Sequence, residues 1–226
     1  MFATDKCDFC NEFGGGVDNA FAIRYAAEVR CRSAFETGAF AVLPTLGQIV
    51  PGYLLVVPKH HHLAIGDMSQ DEIQELEALR AMLLATLGAS YGTYVFFEHG
   101  TRSENCGGCG ITHAHLHAVP FSAHVDPVGV LKGQFAFDQL QGFSDLARVP
   151  SNSSYLYYEA TSKERYAFYP SVVPSQYLRR LLAEAIGVRD WDWRECGKEE
   201  RFLSTLSHTA KMFAGIHDSC SHLARP

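Results

Sequence analysis

Three short apolar segments of the chain have the pattern of buried β-strands. Residues 54–57, Leu-Leu-Val-Val, lie between a Gly and a Pro, within a β-favouring stretch from 35 to 58. Residues 94–97 and 155–158 are similar runs of aromatic and aliphatic side chains. Short apolar runs bounded by turn residues are typical of strands in the interior of a sheet. The pattern therefore predicts three buried strands.

A segment with helical periodicity follows the first of these strands. Ser69 and Glu72 have the spacing of a capping box, which marks the start of a helix. The apolar positions that follow recur on one helical face: Ile73, Leu76, Leu79, Leu83, Leu84 and Leu87. Gly88 comes next, and glycine often follows the last residue of a helix. The pattern predicts a helix from about residue 70 to Gly88.

Two further apolar stripes lie near the C-terminus and predict two helices. The first comprises Tyr177, Leu178, Leu181, Leu182, Ala185 and Ile186, and the second Phe202, Leu203, Leu206, Ala210 and Phe213. Trp191 and Trp193 lie between the stripes and are interpreted as packing residues. Since the patterns weaken after about residue 121, we divide the chain into a domain at 1–145 and a C-terminal strand and helical extension at 146–226.

Composition and charge narrow the possible partners. The chain has 226 residues, of which 47% are hydrophobic and 19% charged, so it can bury a substantial core. Its net charge of -6 argues against general binding to nucleic acids or to an anionic membrane, although a local site can still bind a small anion. The sequence has no apolar leader and no run long enough to cross a bilayer, so we expect a soluble, cytoplasmic protein without a membrane partner.

A row of histidines is the clearest candidate for chemistry. His113, His115 and His117 alternate with Ala114 and Leu116, so on a strand the three imidazoles would share one face. A neutral imidazole can act as a nucleophile, a proton donor or a metal ligand, and three together can divide these roles. Three alternating histidines also occur as a metal triplet, and the spacing alone leaves that alternative open.

The segment just before the histidines is rich in glycine. Gly107, Gly108 and Gly110 allow backbone amides to approach a ligand closely, and convergent amides can hold phosphate oxygens. A glycine loop beside a row of histidines suggests phosphoryl or nucleotidyl transfer, in which positioning and charge stabilisation supply most of the catalysis.

The histidine row resembles the signature of the histidine triad (HIT) superfamily. Residues 113–119 match the pattern His-x-His-x-His-x-x in which every x is apolar. Residues 50–59 resemble the apolar strand that the family places between Pro-Gly-His and Pro-Lys-x-His, and residues 97–100 resemble the segment before its glycine loop. The similarity covers roughly residues 1–125, and the C-terminal helices resemble the extensions of CwfJ-like relatives.

This resemblance implies an α+β fold with an antiparallel sheet and flanking helices, often assembled as a homodimer. Residues 1–145 would form a nucleotide-binding catalytic domain in which His115 attacks the α-phosphorus of a nucleotide conjugate. His117 would contact the phosphate and assist the leaving group. Relatives that transfer the nucleotidyl group to another acceptor usually have Gln at the last triad position, so His117 favours hydrolysis.

The sequence departs from the family pattern at two places. The family's His after Pro-Gly, which lies near the active site, is Tyr53 here, so a hydrogen bond made by that imidazole would have to come from a phenol. The neighbourhood of Leu43 lacks the acidic residue with which relatives often bind the ribose. We still assign Tyr53 and Glu98, together with the three loop glycines, to nucleotide binding.

A metal site is indicated by the cysteines. Cys7 and Cys10 have the spacing of two thiolate ligands to one zinc ion. The resemblance to zinc-containing HIT proteins implies that His61 and His113 complete a structural zinc site. An alternative is that Cys106 and Cys109 join the first pair or form a redox pair.

The sequence thus predicts a hydrolase that acts on a dinucleoside polyphosphate or another nucleotide conjugate through a nucleotidyl-histidine intermediate. Two alternatives remain open. One is a nucleotidyltransferase or phosphorylase that uses the same histidine. The other is a zinc-stabilised nucleotide-binding or interaction module without turnover.

Overall fold

Eight strands form one antiparallel sheet in the described part of the chain. The computed structural model describes residues 7–101, 111–123, 126–151, 153–172, 174–197 and 199–223, with side chains to residue 215. The strands are β1 Phe35–Glu36, β2 Phe40–Pro44, β3 Leu54–Pro58, β4 Tyr94–Gly100, β5 Leu116–Pro120, β6 Phe137–Leu140, β7 Tyr155–Glu159 and β8 Arg165–Phe168. The helices are α1 Asp8–Phe13, α2 Ala20–Tyr25, α3 Gln70–Tyr91, α4 Val128–Gln134, α5 Tyr177–Ala185 and α6 Glu199–Leu223.

The strand order is β1-β2-β3-β5-β4-β7-β8-β6. Strand β7 pairs with β4 over five residues, with Glu98 opposite Tyr157. Strands from both sides of the boundary predicted at residue 145 are therefore neighbours in the middle of one sheet. The antiparallel sheet with flanking helices and a helical C-terminal segment confirms the predicted α+β fold.

The two faces of the sheet carry separate apolar layers. On one face α3 packs with Leu76 and Leu83 against Phe96 and Tyr157. On the other face α1 and α5 pack against the strands through the apolar residues Phe9, Phe97, Leu178 and Leu182. Strand β3 is buried along its whole length, which explains its continuous apolar run. The layer formed with α1 and α5 is the one that holds the triad histidines.

Helix α3 begins as the sequence predicts and ends later. The Ser69 hydroxyl and the Glu72 carboxylate form the complete capping box. The helix continues through Gly88 and ends at Gly92, whose φ of 80° and ψ of -147° are open essentially to glycine alone. A single glycine inside a helix costs only about 1 kcal/mol, so Gly88 weakens the helix without ending it.

A buried ion network joins α3 to the second half of the sheet. Arg80 donates two hydrogen bonds to Glu159, one of them from Nε at 2.6 Å. Arg165 donates to Glu77 at 2.5 and 2.9 Å, and its Nε lies 3.3 Å from Glu159. The Tyr157 hydroxyl also donates to Glu159 at 3.0 Å. These contacts tie strands β7 and β8 to a helix of the first half.

The C-terminal helices also hold the loop that leads into β3. Arg201 on α6 donates to the carbonyl oxygens of Gln48 and Ile49, each at 3.0 Å. The Thr205 hydroxyl accepts from the amide of Gly52 at 3.0 Å. Because Tyr53 directly follows this loop, its position depends on the C-terminal segment. None of the helices in the described part of the chain is both long enough and apolar enough to cross a bilayer.

The histidine segment differs from a regular strand. Strand β5 begins at Leu116, so His113 and His115 lie in front of it and only His117 lies within it. The expectation that all three imidazoles project from one strand face is therefore wrong. The Ala114 amide donates to the carbonyl of His62 at 2.7 Å, and the regular strand pairing of β5 begins only at Leu116.

Candidate functional site

His113 is fixed by a hydrogen bond that directs its other nitrogen to the cysteines. Its Nε2 lies 2.8 Å from the carbonyl oxygen of Pro58, which can only accept, so Nε2 carries the proton. The bare Nδ1 then lies 3.4 Å from Cys7 Sγ and 3.6 Å from Cys10 Sγ. The lone pair of this nitrogen is thus directed at the two sulfurs, which is the geometry that metal ligation requires.

The four predicted metal ligands lie together. The ligand atoms of Cys7, Cys10, His61 and His113 are all within 4.8 Å of one another, and His61 Nδ1 is 3.3 Å from Cys10 Sγ. Bonds of about 2.3 Å to sulfur and about 2.0 Å to nitrogen give tetrahedral S···N edges of about 3.6 Å, close to the observed distances. The cluster therefore fits a tetrahedral ion with two thiolates and two imidazoles.

Helix α1 positions this cluster beside the second histidine. Cys7 is the N-cap residue of α1 and Cys10 lies in its first turn. Burial, with a smaller effect from Cys7, raises the pKa of Cys10 to about 12, so a bound cation would be needed to keep the Cys10 sulfur as a thiolate. Phe9, between the two cysteines, contacts the rings of both His113 and His115 with centres 5.5 Å apart.

The tautomer of His115 is determined by the backbone. Its Nδ1 donates to the carbonyl oxygen of His113 at 2.7 Å, so the proton of the neutral ring is on Nδ1 and Nε2 is bare. Burial, together with the charge of Arg32, lowers the pKa of His115 to about 4. The ring is therefore neutral at neutral pH and has a nucleophilic nitrogen.

His117 is held on two sides. Its ring stacks on Phe97 with centres 4.1 Å apart and planes 9° apart. Its Nδ1 lies 2.6 Å from the hydroxyl oxygen of Tyr53. Burial, and then the neighbouring His115, lowers the pKa of His117 well below the ordinary value. The centres of the His115 and His117 rings are 4.7 Å apart, so one substrate group can contact both.

Both rings line a pocket formed by three parts of the chain. Its empty volume, including the part open to solvent, is about 610 Å³. The N-terminal segment contributes Phe9 and Phe21, and the strands and loops contribute Thr45, Leu46, Leu55 and Phe97. The C-terminal segment contributes Gln176, Arg179 and Trp193. The extension is therefore part of the pocket wall.

Two buried arginines line the pocket together with the carboxylates of Asp8 and Glu12. Arg32 is 3% exposed and forms a bidentate pair with Glu12 at 2.7 Å. Arg179 is 2% exposed and donates to the carbonyl oxygens of Leu46, Gly47 and Trp191. The cation of Arg179 is thus surrounded by neutral acceptors. A phosphate would compensate such a charge.

Of the other residues predicted for nucleotide binding, Tyr53 and Glu98 lie in the described part of the chain. Gly107, Gly108 and Gly110 lie outside the described residues, as do Cys106 and Cys109. Tyr53 is fully buried beneath His117. Glu98 lies on the α3 face of the sheet, where it accepts from the Ile65 amide at 2.7 Å and the Tyr155 hydroxyl at 2.6 Å. Since Phe97 faces the triad, the alternation of the strand turns Glu98 away from the pocket.

Several pocket residues were not predicted from the sequence. Trp193, interpreted there as a packing residue, lines the pocket, and so do Arg32 and Phe21. Arg179 lies next to Arg180 on a predicted helix, and the sequence alone does not distinguish the two. The buried position of Arg179 follows from the docking of α5 on the sheet, and single-sequence periodicity does not report that contact.

Comparisons with known proteins give one curated relative and several solved structures. The relative is CWF19-like protein 1 of Xenopus laevis, 24% identical over 178 residues. The match covers 72% of this chain and 31% of that protein, so the chain spans about a third of the length of its relative. A search of protein-family models gave no match.

The solved structures similar to the chain include three informative cases. Yeast Ap4A phosphorylase in complex with AMP is 15% identical, with a TM-score of 0.43 over 75% of this chain and 77% of that one. A hypothetical histidine triad nucleotide-binding protein of Sulfolobus tokodaii is 20% identical, with a TM-score of 0.38 over 50% and 68%.

A HIT family hydrolase of Clostridium thermocellum is 17% identical, with a TM-score of 0.36 over 54% of this chain and 95% of that one. All three structures are less than 25% identical to this chain and have TM-scores below 0.5, so function is inferred from the residues of this chain.

Proposed function

We propose that this chain is a nucleotide hydrolase that cleaves a dinucleoside polyphosphate or another nucleotide conjugate at its α-phosphate. The observation that carries the proposal is the tautomer of His115. Its Nδ1–H is committed to the carbonyl oxygen of His113, which leaves a bare Nε2 on a ring that lines the pocket. A neutral imidazole with this tautomer is an efficient nucleophile towards phosphorus.

The side chains around His115 suit the other parts of a nucleotide conjugate. His117 lies next to the nucleophile, and Arg179 places a positive charge in the pocket wall, whereas the charge of Arg32 is offset by its pair with Glu12. Phe21, Leu46 and Trp193 form an apolar wall suited to the flat face of a nucleobase. This combination of an anion site and an aromatic wall is what a nucleotide requires.

The reaction has two steps. In the first, His115 Nε2 forms a bond to the α-phosphorus while the bond from phosphorus to the bridging oxygen breaks. The bridging oxygen leaves with the electron pair as part of the departing phosphate, and His117 stabilises it by donating a hydrogen bond. In the second step water adds to phosphorus and the P–N bond breaks, which returns its electron pair to Nε2. The proton lost by water leaves with the nucleoside monophosphate or passes to solvent.

The metal cluster has a structural role in this proposal. Zinc bound by Cys7, Cys10, His61 and His113 would tie α1 to the segment before β5, and Phe9 would then be held against the ring of His115. Zinc would supply this cross-link when bound. The homodimer and the cytoplasmic location stay predictions.

The test is to trap the covalent intermediate. The purified protein is incubated with α-labelled nucleotide conjugates, quenched in alkali and digested to locate the label. We expect label on His115 in the wild type and none in His115→Ala. The matched control is His208→Ala, which removes an exposed imidazole on α6 and should behave as wild type.

Label on another residue, or unchanged turnover in His115→Ala, would refute the proposal. Added inorganic phosphate distinguishes the transferase alternative, since phosphorolysis would convert the product from a nucleoside monophosphate to a diphosphate. Nucleotide binding without labelling or turnover would identify a binding module.

A further inference from the structure

We propose that Asp8, on the N-terminal helix α1, binds the ribose hydroxyls of the substrate and makes the pocket selective for ribonucleotides over 2′-deoxyribonucleotides. This role rests on the proposed function, because it takes the substrate to be a nucleotide. It follows from the position of Asp8 in the pocket wall, from the partners of the neighbouring charges and from the place of α1 beside the nucleophile.

Two carboxylates of α1 line the pocket that holds the triad rings. Asp8 and Glu12 are four residues apart on this helix, so they lie on the same helical face. Both side chains belong to the pocket wall, together with the aromatic rings of Phe9 and Phe21. The side of α1 that a ligand meets is therefore acidic.

The two carboxylates differ in their partners. Glu12 accepts from Arg32 at both of its oxygens, each at 2.7 Å, so this carboxylate is fully engaged. The half-buried carboxylate of Asp8 makes no hydrogen bond or ion pair with any residue that the structure describes. Within that part of the chain, both oxygens of Asp8 are available to accept from a ligand in the pocket.

The chemistry of a carboxylate limits which part of a nucleotide it can bind. A carboxylate is an acceptor with a negative charge, so it repels a phosphate and requires hydrogen-bond donors. The donors of a nucleotide are the two ribose hydroxyls and the N–H groups of the base. The neighbouring 2′ and 3′ hydroxyls each donate one hydrogen bond, and a carboxylate has two oxygens to accept them.

The place of α1 favours the ribose over the base. Asp8 directly precedes Phe9, whose ring contacts the ring of His115 with centres 5.5 Å apart. The ribose carries the α-phosphate, so it lies close to His115 whenever this residue attacks the phosphorus. In the proposed binding mode the base lies further away, against the wall that includes Leu46 and Trp193. A donor near the reacting phosphorus is therefore a sugar hydroxyl.

The direct test measures the binding of reaction products, which needs no turnover. Isothermal titration calorimetry compares the nucleoside 5′-monophosphates of the common bases with their 2′-deoxy counterparts. We expect the wild type to bind the preferred ribonucleotide about tenfold more tightly than its deoxy counterpart, because the latter lacks one hydrogen bond to a charged acceptor. Asp8→Ala should reduce this ratio to within about twofold by weakening the ribonucleotide. Asp8→Asn, which keeps one acceptor oxygen, should give an intermediate ratio.

The matched control separates sugar recognition from helix stability. Asp8 lies in the first turn of α1, where a negative charge also interacts favourably with the helix dipole. Asp71 lies in the first turn of α3, is exposed and belongs to a helix on the opposite face of the sheet. Asp71→Asn therefore loses the same kind of interaction with a helix dipole and should keep the wild-type ratio.

Equal affinity of the wild type for a ribonucleotide and its deoxy counterpart would overturn the inference, and so would an unchanged ratio in folded Asp8→Ala. A changed base preference at an unchanged ratio would assign Asp8 to the base and contradict its role at the ribose. Near-UV circular dichroism and the zinc content establish whether Asp8→Ala is folded. If it is not, the wild type and Asp8→Asn still decide.

Turnover distinguishes the failure of this role from the failure of the proposed function. Equal kcat/KM for ribonucleotide and deoxyribonucleotide conjugates, with label still trapped on His115, would refute the role of Asp8 and leave the hydrolase intact. Discrimination between the sugars in binding, without hydrolysis of any conjugate, would refute the hydrolase and retain the role of Asp8. A protein that binds none of the nucleoside monophosphates would refute the ribose site.

Discussion

Glu159→Gln is expected to destabilise the whole protein, because Glu159 neutralises two arginines inside the fold. The Glu159 side chain is 2% exposed, accepts from Arg80 and from the Tyr157 hydroxyl, and lies 3.3 Å from Nε of Arg165. The substituted amide would place an N–H₂ group against arginine donors and remove the negative charge.

The magnitude follows from the burial of these groups. Removing one partner of a buried ion pair costs about 3–5 kcal/mol, and Arg165 retains Glu77, which places the expected loss near 3 kcal/mol. For a chain of this size about 2–4 °C of melting temperature is lost per kcal/mol, so the midpoint should fall by about 6–12 °C. Glu184→Gln is the matched control, because Glu184 forms an exposed pair with Arg180 at 3.6 Å. It should cost less than about 0.5 kcal/mol.

The assay is urea unfolding followed by two signals. Trp191 and Trp193 report on the C-terminal segment through fluorescence, and far-UV circular dichroism reports on the entire chain. We expect the two transitions to coincide in both variants, because β7 is part of the same sheet as β4. A Glu159→Gln protein as stable as Glu184→Gln would refute the reasoning. Separate transitions would show that the two halves unfold independently.

Three further predictions concern the site. The value of kcat/KM should stay constant from neutral pH to about pH 5 and fall at lower pH, because His115 gains a proton near its lowered pKa of about 4. An acid limb centred near the ordinary histidine pKa of 6.5 would contradict the argument that burial lowers the pKa of His115. Cys10→Ser should lower the zinc content of the purified protein, measured by mass spectrometry, while the exposed Cys31→Ser should leave it unchanged. Trp193→Ala should raise KM about tenfold and change kcat by no more than about twofold, because stacking of a base on an aromatic ring contributes about 1–3 kcal/mol to binding. The control Phe137→Ala, at the far edge of the sheet, should leave KM unchanged.

The elements that the sequence predicts well are those whose signals are local. Helix α3 carries its own capping box at Ser69 and an apolar stripe over several turns, and the buried strands β3, β4 and β7 are continuous apolar runs. Each of these signals is visible within a window of a few residues. Local interactions decide such elements, and the structure agrees with the predictions.

The elements that the sequence misses depend on distant partners. Helices α1 and α2 have six residues each, too few for a recognisable period. Strand β8 carries the charged Arg165 in a buried position, and it is stabilised there by Glu77 on α3. No window around Arg165 contains that carboxylate. The strand becomes understandable only when the sheet has formed.

The candidate site also has parts that short sequence motifs predict and parts that depend on distant contacts. The histidine row and the first cysteine pair are compact motifs, and the family resemblance links them to His61. The structure brings these ligands together. The roles of the three imidazoles come from the carbonyl oxygens and the phenol that they contact, and the sequence does not specify these partners.

The pairing of β7 with β4 has a consequence for synthesis on the ribosome. The chain emerges with β4 and β5 well before β7, so one edge of β4, beside Phe96 and Phe97, remains without its neighbour until more than fifty further residues have been translated. An uncovered apolar edge strand is a template for wrong pairing between nascent chains. Translation pauses after β4 and β5 have emerged from the ribosome and before β7 has emerged should therefore lower the soluble yield, whereas pauses after β8 has emerged should not.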